Sequence, residues 1–503
     1  MKKAALHNLG CKVNSYETQA MQELLEQNGY EIVPFSECAD VYVINTCSVT
    51  NIADRKSRQM IHRARKKNEN AVIVACGCYV QTAKEDVLAE GIADIIIGND
   101  KKHELISLLE DYDKRREQSV TSNDCNARHE QSMTSNDCNA RHEQSMTSND
   151  CNARREQSVT SNDCDIKHEK SNPFHASDNG KENKITCAVE DINDANRHFE
   201  QMQLSKTGEH ARAFLKVQDG CNQFCSYCII PYARGRVRSK NREEILREVT
   251  NLAKNGYREI VLTGIHLSSY GIDTGDDLLS LILAVSRVEQ VERVRLGSLE
   301  PRIITETFVE QLAKNEKFCP HFHLSLQSGC DSTLKRMNRH YTTAEYEEKC
   351  KLIRNAFTHP AITTDVIVGF PGESEEEFLK SQNFVKNMHF YEMHVFKYSR
   401  RDGTRAAVMS DQIPEEVKTK RSNALITYEK QESESFRNWY IGKEVSALME
   451  EEISFFGTSY FTGFTKEYVK VACPCDASKI GNILHGKITK QLTPELYLMV
   501  EIS

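Results

Sequence analysis

The chain has 503 residues, of which 39% are hydrophobic and 27% are charged, and its net charge of −8 excludes a globally basic nucleic-acid-binding protein. Any contact with RNA must therefore come from local basic patches. No apolar run approaches the roughly 18 residues of a membrane-spanning helix, and the first residues, MKKAALHNLG, lack the apolar segment of a secretory signal. In the cytoplasm, which is the expected location, 18 cysteines are more often metal ligands, reactive thiols or inert thiols than disulfides.

Residues 1–114 are predicted to form a small α/β domain of the Rossmann-like kind. The runs at 41–45, 71–77 and 93–98 are short, apolar and rich in β-branched residues, as buried parallel strands are. Asn14 followed by Glu17 looks like a variant of the capping box at the start of an amphipathic helix. The predicted fold class of the whole chain is accordingly α/β.

A 13-residue repeat begins at Arg116 and places one cysteine in each of its four units. Each unit has a single Val or Met among polar residues, so it cannot bury enough apolar surface to offset its ordering entropy. We therefore predict that residues 115–205 form a disordered insertion. Duplication of a short coding segment is the favoured explanation, and a metal-binding or redox-sensing array of thiols is the alternative.

Residues 206–435 are predicted to form a partial (β/α)6 barrel, because apolar strand candidates alternate with helical patterns. Such a barrel carries its site at the C-terminal ends of the strands. Residues 436–503 change to short strand-like segments, which are typical of a small β-barrel. The strand candidates of the larger barrel lie at 213–217, 259–264, 293–298, 321–327, 363–370 and 392–399.

Three cysteines follow the first predicted barrel strand in the pattern C-x-x-x-C-x-x-C: Cys221, Cys225 and Cys228. Three thiolates can hold three irons of a 4Fe-4S cluster and leave the fourth iron open to a cofactor such as S-adenosylmethionine (SAM). A structural zinc site would normally need a fourth Cys or His close by, and none lies at a usual spacing. The pattern therefore favours an iron–sulfur cluster over zinc or over inert thiols.

The segment CNQFCSYCIIPYARGRVRS resembles the radical-SAM motif of the methylthiotransferase family, and the resemblance covers the chain apart from the repeat insertion. LGCKVNSYE, INTCSVT and GCYVQ resemble the N-terminal domain of that family, where each motif donates one cysteine to a second 4Fe-4S cluster. The resemblance implies Cys11, Cys47 and Cys78 as these ligands, whereas Cys76 is expected to be a buried structural thiol. It also implies that residues 436–503 are a TRAM domain, which is a small RNA-binding β-barrel.

The resemblance further implies a SAM site at the strand ends of the barrel. Thr263 and Gly264 end the second strand, where related enzymes receive the methionyl amino group on a glycine-rich segment. Gln327, Asp365 and Gly369 resemble segments that line the cofactor. The alternative for Gln327 and Asp365 is an ordinary polar cap on the strand ends, and for GFPGE a simple turn.

Three basic patches are candidates for contact with RNA. The first is the helical segment 55–67, and the second directly follows the cysteine loop; the alternative for each is a solvated face. In the third, Phe464, Lys466, Tyr468 and Lys470 are expected to alternate along one strand and to share a face for stacking and phosphate contact, unless that strand packs inside its barrel. The expected RNA-contacting residues are Arg55, Lys56, Arg234, Arg236, Arg238, Lys466 and Lys470.

The resemblance implies a tRNA-modifying enzyme. In the family, a 5′-deoxyadenosyl radical made from SAM activates a C–H bond, and a methylthio group formed at the N-terminal cluster replaces the hydrogen. LTGIHLSSYG, RLGSLEP and FKYSRRDGTRA most resemble the branch that acts on N6-threonylcarbamoyladenosine at position 37 of tRNA. The carboxylate of that substrate would suit bidentate binding by Arg400, Arg401 or Arg405.

Three other functions stay open at this stage: methylthiolation of isopentenyladenosine in tRNA, methylthiolation of a ribosomal protein aspartate, and RNA binding or electron transfer without catalysis. Open iron sites argue against pure electron transfer, which normally uses four cysteines. The implied cofactors are two 4Fe-4S clusters and SAM. The implied partners are tRNA, an electron donor such as flavodoxin or ferredoxin, and a sulfur source, with no membrane.

Overall fold

The computed structural model describes residues 1–130, 185–194, 198–206, 211–455, 457–474 and 479–502. The chain divides into two compact units, one made of residues 1–109 and 185–503 and the other of residues 110–184. The predicted disorder of the repeats from 131 onward lies outside the described residues. Within the described part, no helix is long and apolar enough to cross a membrane.

The N-terminal part is a parallel sheet of six strands. Its elements are β1 (Lys3–Asn8), α1 (Lys12–Gln27), β2 (Glu31–Ile32), β3 (Val41–Thr46), α2 (Asn51–Lys67), β4 (Val72–Gly77), α3 (Cys78–Thr82), α4 (Lys84–Glu90), β5 (Ile95–Ile97), α5 (Leu105–Glu130) and β6 (Thr186–Ala188). The strand order is β2-β1-β3-β4-β5-β6, and every residue of β3 and β4 is buried. Because the apolar runs are covered on both faces, the predicted buried parallel strands are confirmed.

The segment after the repeats belongs to this sheet. β6 pairs in parallel with β5 at the sheet edge. Ile192 and Leu204 are buried, and the Tyr16 hydroxyl donates a hydrogen bond to the Met202 carbonyl at 2.8 Å. The expectation that the insertion extends to residue 205 is therefore wrong, because the apolar residues between 186 and 204 have a core to join. At the other end, α5 continues into the first repeat.

Residues 212–438 form the predicted partial barrel. Its elements are β7 (Arg212–Asp219), α6 (Ile230–Arg234), β8 (Arg238–Ser239), α7 (Arg242–Lys254), β9 (Glu259–Gly264), α8 (Leu278–Ser286), β10 (Arg293–Leu296), α9 (Glu306–Ala313), β11 (His321–His323), α10 (Asp331–Arg336), α11 (Thr343–Ala356), β12 (Ala361–Val368), α12 (Glu375–Met388), β13 (Glu392–Lys397) and α13 (Glu415–Asn438). β7 and β9 to β13 are the six parallel strands, and single bridges such as Leu299 with Leu324 join the two halves. The short β8 adds an antiparallel edge.

The C-terminal part is a closed five-stranded barrel. Its strands are β14 (Glu444–Phe455), β15 (Thr458–Thr465), β16 (Lys470–Cys473), β17 (Ile483–Thr493) and β18 (Leu496–Glu501). It closes the N-terminal end of the larger barrel, since Arg293 donates to the Phe464 carbonyl at 2.9 Å and Arg295 to the Lys466 carbonyl at 2.8 Å. The expected small β-barrel is thus confirmed as a fold.

The predicted arrangement of aromatic and basic residues on one strand of that barrel is wrong. β15 ends at Thr465, and Tyr468 lies in the following turn with a φ of 73°. The Phe464 and Tyr468 rings stack on each other at 4.6 Å, and the guanidinium of Arg212 lies 4.9 Å from each ring centre. These aromatic residues therefore pack against the larger barrel, because Arg212, the first residue of β7, lies over both rings.

Candidate active site

The cysteines of the C-x-x-x-C-x-x-C pattern lie on the loop between β7 and α6, above the strand ends. Cys221, Cys225 and Cys228 line one cavity of about 200 Å³, which we call the cofactor cavity. The Cys228 amide donates to the Cys225 carbonyl at 2.9 Å. Gly220 has a φ of 71°, and a Cβ there would lie 1.8 Å from the Arg236 carbonyl oxygen, so the loop needs glycine at this position.

The surroundings of these three thiols suit an anionic metal cluster. Burial raises the pKa of Cys221 to about 11, so the free thiol would stay protonated, and a bound metal would be needed to stabilise the thiolate. The Arg339 guanidinium donates to the Cys225 sulfur at 3.2 Å and offsets negative charge there. A set of three sulfurs beside one arginine fits a 4Fe-4S cluster with one open iron.

The cofactor cavity contains only part of the predicted SAM-binding set. Gln327 lines it, whereas Thr263, Gly264 and Gly369 do not. At Gly369 a Cβ would lie 2.1 Å from Cγ of Lys418, so the strand end packs closely there. Contact of Thr263, Gly264 and Gly369 with the cofactor stays a prediction.

The cofactor cavity also has polar residues that the sequence analysis missed. Glu300 and Ser298 follow the end of β10, His266 follows the end of β9, and Arg339 lies between α10 and α11. A search for polar residues at or just beyond the end of each predicted strand would have found the first three.

The second group of cysteines lies at neighbouring strand ends of the N-terminal sheet. Cys11 precedes α1, Cys47 directly follows β3, and Cys78 directly follows β4. A Cβ on Gly10 would lie 2.9 Å from the Cys47 sulfur, which shows how closely Cys47 approaches the loop before Cys11. Burial, with a contribution from the neighbouring Cys78 and Cys11 thiols, raises the pKa of Cys47 to about 11. Three sulfurs at adjacent parallel strand ends fit a second cluster.

Arg234 connects the two cysteine groups. It ends α6, six residues after Cys228, and its Nε donates to the Cys78 sulfur at 3.3 Å. Its remaining N–H groups donate to the Glu17 carboxylate at 2.7 and 3.0 Å and to Asn14 Oδ1 at 2.6 Å. Asn99 also donates to the Cys78 sulfur, at 3.6 Å. A buried cation next to the sulfur suits an anionic cluster at this position.

The expectation that Arg234 and Arg238 contact RNA is wrong. Arg234 is 0% exposed and Arg238 6% exposed, because both are used inside the protein. Arg238 donates to the Arg234 carbonyl at 2.9 Å. Arg236 is exposed, and its guanidinium lies 4.5 Å from the ring centre of Phe224.

Asn14 and Glu17 do not form the predicted capping box. The Asn14 amide donates to the carbonyls of Leu9 and Thr46 and so joins the loops before Cys11 and Cys47. Glu17 is fully buried and binds Lys216 at 2.6 Å in addition to Arg234. Burial alone would raise the pKa of Glu17, but the surrounding cations hold it well below its usual range.

Cys76 lies apart from the second group. It is fully buried, and its sulfur is 3.7 Å from the Ile44 carbonyl and 4.0 Å from the Met21 sulfur. Burial raises its pKa to about 12. The expectation of a buried structural thiol is confirmed.

A second cavity of about 240 Å³, which we call the central cavity, contains residues of both cysteine loops. Val49 and Thr50 follow Cys47, and Ile229 and Ile230 follow Cys228. The other lining residues come from the barrel and from the first loop: Tyr227, Cys228, Gln327, Asp365, Ile367, Phe396, Lys397, Tyr398 and Ser399. One molecule bound here would contact Cys228 and the residues that follow Cys47.

Comparison with known proteins places the chain in a family. Residues 3–98 match the model described as Uncharacterized protein family UPF0004, and residues 215–385 match the Radical SAM superfamily. A protein of Bacillus subtilis (strain 168) named threonylcarbamoyladenosine tRNA methylthiotransferase MtaB is 36% identical and covers 97% of this chain and 94% of its own length. The chain belongs to the threonylcarbamoyladenosine tRNA methylthiotransferase family. The expected cofactors, SAM and two 4Fe-4S clusters, are those of this family.

Other relatives of this methylthiotransferase include proteins of the same name and of a second tRNA-modifying kind. A protein of the same name from Aquifex aeolicus is 35% identical over 90% of this chain and 93% of its own length. A tRNA-2-methylthio-N(6)-dimethylallyladenosine synthase of Pelotomaculum thermopropionicum is 29% identical over 97% of this chain and 95% of its own. The radical SAM methyltransferase TsrM of Kitasatospora setae, at 12% identity and a TM-score of 0.52, covers 81% of this chain and 77% of its own and shows the fold alone.

The basic residues expected to contact RNA differ in whether their side chains are exposed or already bound to other protein groups. Arg55 and Lys56 are exposed on α2, where Arg55 also lines an open depression. The Lys466 ammonium donates to the Glu316 carbonyl at 2.5 Å, and Lys470 pairs with Glu451 at 3.1 Å.

The three arginines considered for binding the substrate carboxylate also differ in burial. Arg401 is buried, and it binds Ser48 at 2.6 Å, Asn51 at 2.9 Å and Asp54 at 2.5 Å. These contacts join the loop after β13 to α2, so Arg401 is not free to bind a substrate. Arg400 and Arg405 are exposed.

Proposed function

We propose that this methylthiotransferase converts N6-threonylcarbamoyladenosine at position 37 of tRNA to its 2-methylthio derivative. The central cavity carries the proposal, because residues of both cysteine loops line it. A base bound there would have one cluster motif on each side. The names of the relatives at 36% and 35% identity support this choice of substrate.

The proposed ligands of the SAM-binding cluster are Cys221, Cys225 and Cys228, and those of the second cluster are Cys11, Cys47 and Cys78. When bound, the first cluster and SAM supply a carbon-centred radical that can remove hydrogen from an unreactive C–H bond, and the second cluster supplies sulfur. Arg339 and Arg234 each place positive charge beside one cysteine of a group. Gln327 lines both cavities and is proposed to contact the cofactor.

The protein residues of the central cavity orient the base and exclude water. Ile229, Ile230 and Ile367 give the cavity apolar walls, which protect a radical from side reactions. Phe396 is 45% exposed although it lines a cavity, so its ring face is available for stacking with a purine. Holding the base in one orientation between two reactive centres is the main contribution of the chain.

The proposed surface for the tRNA backbone is the exposed side of α2. Arg55, Arg58 and His62 line one open depression of about 720 Å³, and Lys56 is exposed next to them. Arg236 is the second proposed phosphate contact. Binding through such contacts should weaken steeply with salt. The remaining proposed partners are a flavodoxin- or ferredoxin-like reductant and a sulfur source, in the cytoplasm where tRNA is available.

The proposal is tested by anaerobic assays with reconstituted protein, reductant, sulfide and SAM. The substrates are tRNA carrying threonylcarbamoyladenosine, tRNA carrying isopentenyladenosine, and a ribosomal protein. We expect nucleoside mass spectrometry to find a 2-methylthio group on the first substrate only. A product on either of the other two, with none on the first, would contradict the proposal.

A further inference from the structure

Two histidines and one aspartate come together on the inner face of the barrel, on strands β11, β12 and β13. The nitrogen and oxygen atoms that His323, Asp365 and His394 could offer to a metal ion all lie within 4.8 Å of one another. Two ligand atoms of one tetrahedral zinc ion are roughly 3.3 Å apart, so small side-chain rotations would close this group around an ion. The mechanism described above uses neither histidine.

The strand register holds these side chains together. Asp365 on β12 is paired with His394 on β13, and Thr363 on β12 is paired with His323 on β11. Thr363 and Asp365 are two residues apart on one strand, so all four side chains lie on the same face of the sheet. Three neighbouring strands therefore supply one candidate ligand each, and strands position side chains more precisely than loops do.

The ring of His323 is oriented as the ring of a metal ligand is. Its Nδ1 is 2.9 Å from Thr363 Oγ1, and its Nε2 is 3.1 Å from Asp365 Oδ2. In metal sites, a histidine binds the ion through one ring nitrogen and donates a hydrogen bond from the other. The Thr363 hydroxyl can accept that hydrogen bond from Nδ1, which leaves Nε2 to bind an ion that it shares with Asp365.

The other two side chains have atoms to spare for an ion. In the part of the chain that the structure describes, Asp365 Oδ1 and the ring nitrogens of His394 make no hydrogen bond to the protein, and the His394 ring centre lies 5.7 Å from that of His323. Burial lowers the pKa of His394, and Asp365 and Glu429 act to raise it. His323 and Lys12 act to lower that pKa further. With both histidines neutral, two carboxylates outweigh one ammonium, so the charge around this group favours a cation.

The group is open on the side of the barrel interior. The side chains of His323 and Asp365 are 12% and 23% exposed, and His394 is exposed. Ile367 and Phe396 are the next paired residues on the same face, and both line the central cavity. An ion held here therefore keeps a position for water or for an oxygen atom of the molecule in that cavity, whereas a structural zinc site is closed by four protein ligands.

We propose that His323, Asp365 and His394 bind one divalent transition-metal ion, such as Zn²⁺ or Fe²⁺, in addition to the two clusters. Two imidazoles and one carboxylate are a ligand set that these ions use in sites with an open position. The ion is bound by His323 Nε2, by the Asp365 carboxylate and by a ring nitrogen of His394. The inference does not depend on which tRNA substrate the enzyme uses.

The test measures zinc binding by the cluster-loaded protein, in which the cluster cysteines are already occupied. Anaerobically reconstituted protein, freed of unbound iron, is dialysed against a small excess of Zn²⁺, and bound zinc, iron and sulfide are measured. We expect one zinc per chain with iron and sulfide unchanged. The variant His394→Gln removes a ligand, and Thr363→Val removes only the hydroxyl that holds His323, so each should weaken zinc binding at least about tenfold. His485→Gln, which changes an exposed histidine of β17, should bind zinc as the wild type does.

Each contrary outcome would overturn the inference. Absence of bound zinc, or equal zinc in the wild type and in His394→Gln, would leave His323 and Asp365 as an ordinary polar contact of the barrel wall. Zinc that binds only as iron is lost would show binding by the cluster cysteines instead. If His394→Gln misfolds and loses iron, Thr363→Val decides, because valine has nearly the shape of threonine at this buried position. The methylthiolation assays test the proposed function separately.

Discussion

At the scale of single residues, Arg234 joins the segment after the first cysteine loop to a cysteine of the second group. It follows the first loop in sequence, and it contacts a cysteine of the second group, Cys78, together with Glu17. Because it is fully buried, its charge is balanced by buried carboxylates rather than by water. Removing one partner of such a network costs more than removing an exposed charge.

The first prediction follows from this network. Arg234→Met should lower the free energy of unfolding of the metal-free protein by about 3–5 kcal/mol, since Glu17 and Asp219 then lose a buried partner. Urea unfolding followed by circular dichroism measures the change. The matched control is Arg236→Met, at an exposed arginine two residues later, for which we expect a change within about 0.5 kcal/mol. Equal stability of the two variants would argue against the network.

The second prediction concerns the cysteines. The anaerobically reconstituted protein should hold about eight irons and eight sulfides, and replacing Cys221, Cys225 and Cys228 together by Ala should remove about half of each. Iron and acid-labile sulfide analysis measures both. Cys76→Ala is the control, because Cys76 is two residues from Cys78 and yet contacts Ile44 and Met21 instead. Unchanged iron in the triple variant, or loss of iron in the control, would refute the assignment.

At the scale of elements, the strands and the cysteine loops could be predicted from sequence, because apolar runs and short motifs are local. The contacts around them could not. Asn14 and Glu17 have the local spacing of a helix cap, but Glu17 binds Lys216 and Arg234, which are 199 and 217 residues away. Such contacts exist only after the barrel has packed against α1. The same reason explains why Arg234 looked like part of a basic surface patch.

The third prediction concerns Glu259, a buried carboxylate at the N-terminal end of strand β9. Burial alone would raise the pKa of Glu259, but Arg295, Arg212 and Arg293 lower it to about 2, below its ordinary value of 4.5. Its contribution to stability is therefore complete above about pH 4.5 and is lost as the pH falls toward 2. Urea unfolding of the metal-free protein at pH 6, 4.5 and 3 should show this decline. The Glu259→Gln variant should have a lower free energy of unfolding than the wild type at pH 6, and that free energy should fall less as the pH is lowered. If it falls as much as in the wild type, other groups cause the loss of stability.

At the scale of the whole molecule, the repeats and the segment after them differ in what they contribute to the folded N-terminal domain. The repeats are polar, whereas β6 and the residues that follow it complete the N-terminal sheet and contact Tyr16. The run ITCAV at 185–189 is the local signal for the end of the insertion, but a single run of five residues does not show that it pairs with β5, 88 residues earlier in the chain.

The fourth prediction separates these two parts. Replacing residues 118–184 by a short Gly-Ser linker should leave cluster content and methylthiolation within about twofold of the wild type, since polar repeats have no core to lose. Extending the deletion to residue 206 should abolish both, because β5 loses its neighbour and several buried residues lose their positions. Iron content and product yield measure the two effects. If the shorter deletion also abolished activity, the repeats would have a role of their own.

The position of β6 has a consequence for synthesis of the protein. β5 ends at Ile97, but the strand that covers its edge begins at Thr186, after the whole insertion. At about 5–20 residues per second, the ribosome needs on the order of ten seconds to make the intervening segment. During that time the nascent domain presents an unpaired strand edge beside its cysteines, and such edges favour aggregation. Each additional repeat would lengthen that interval, so repeat number should affect the yield of folded protein more than the activity of the folded enzyme.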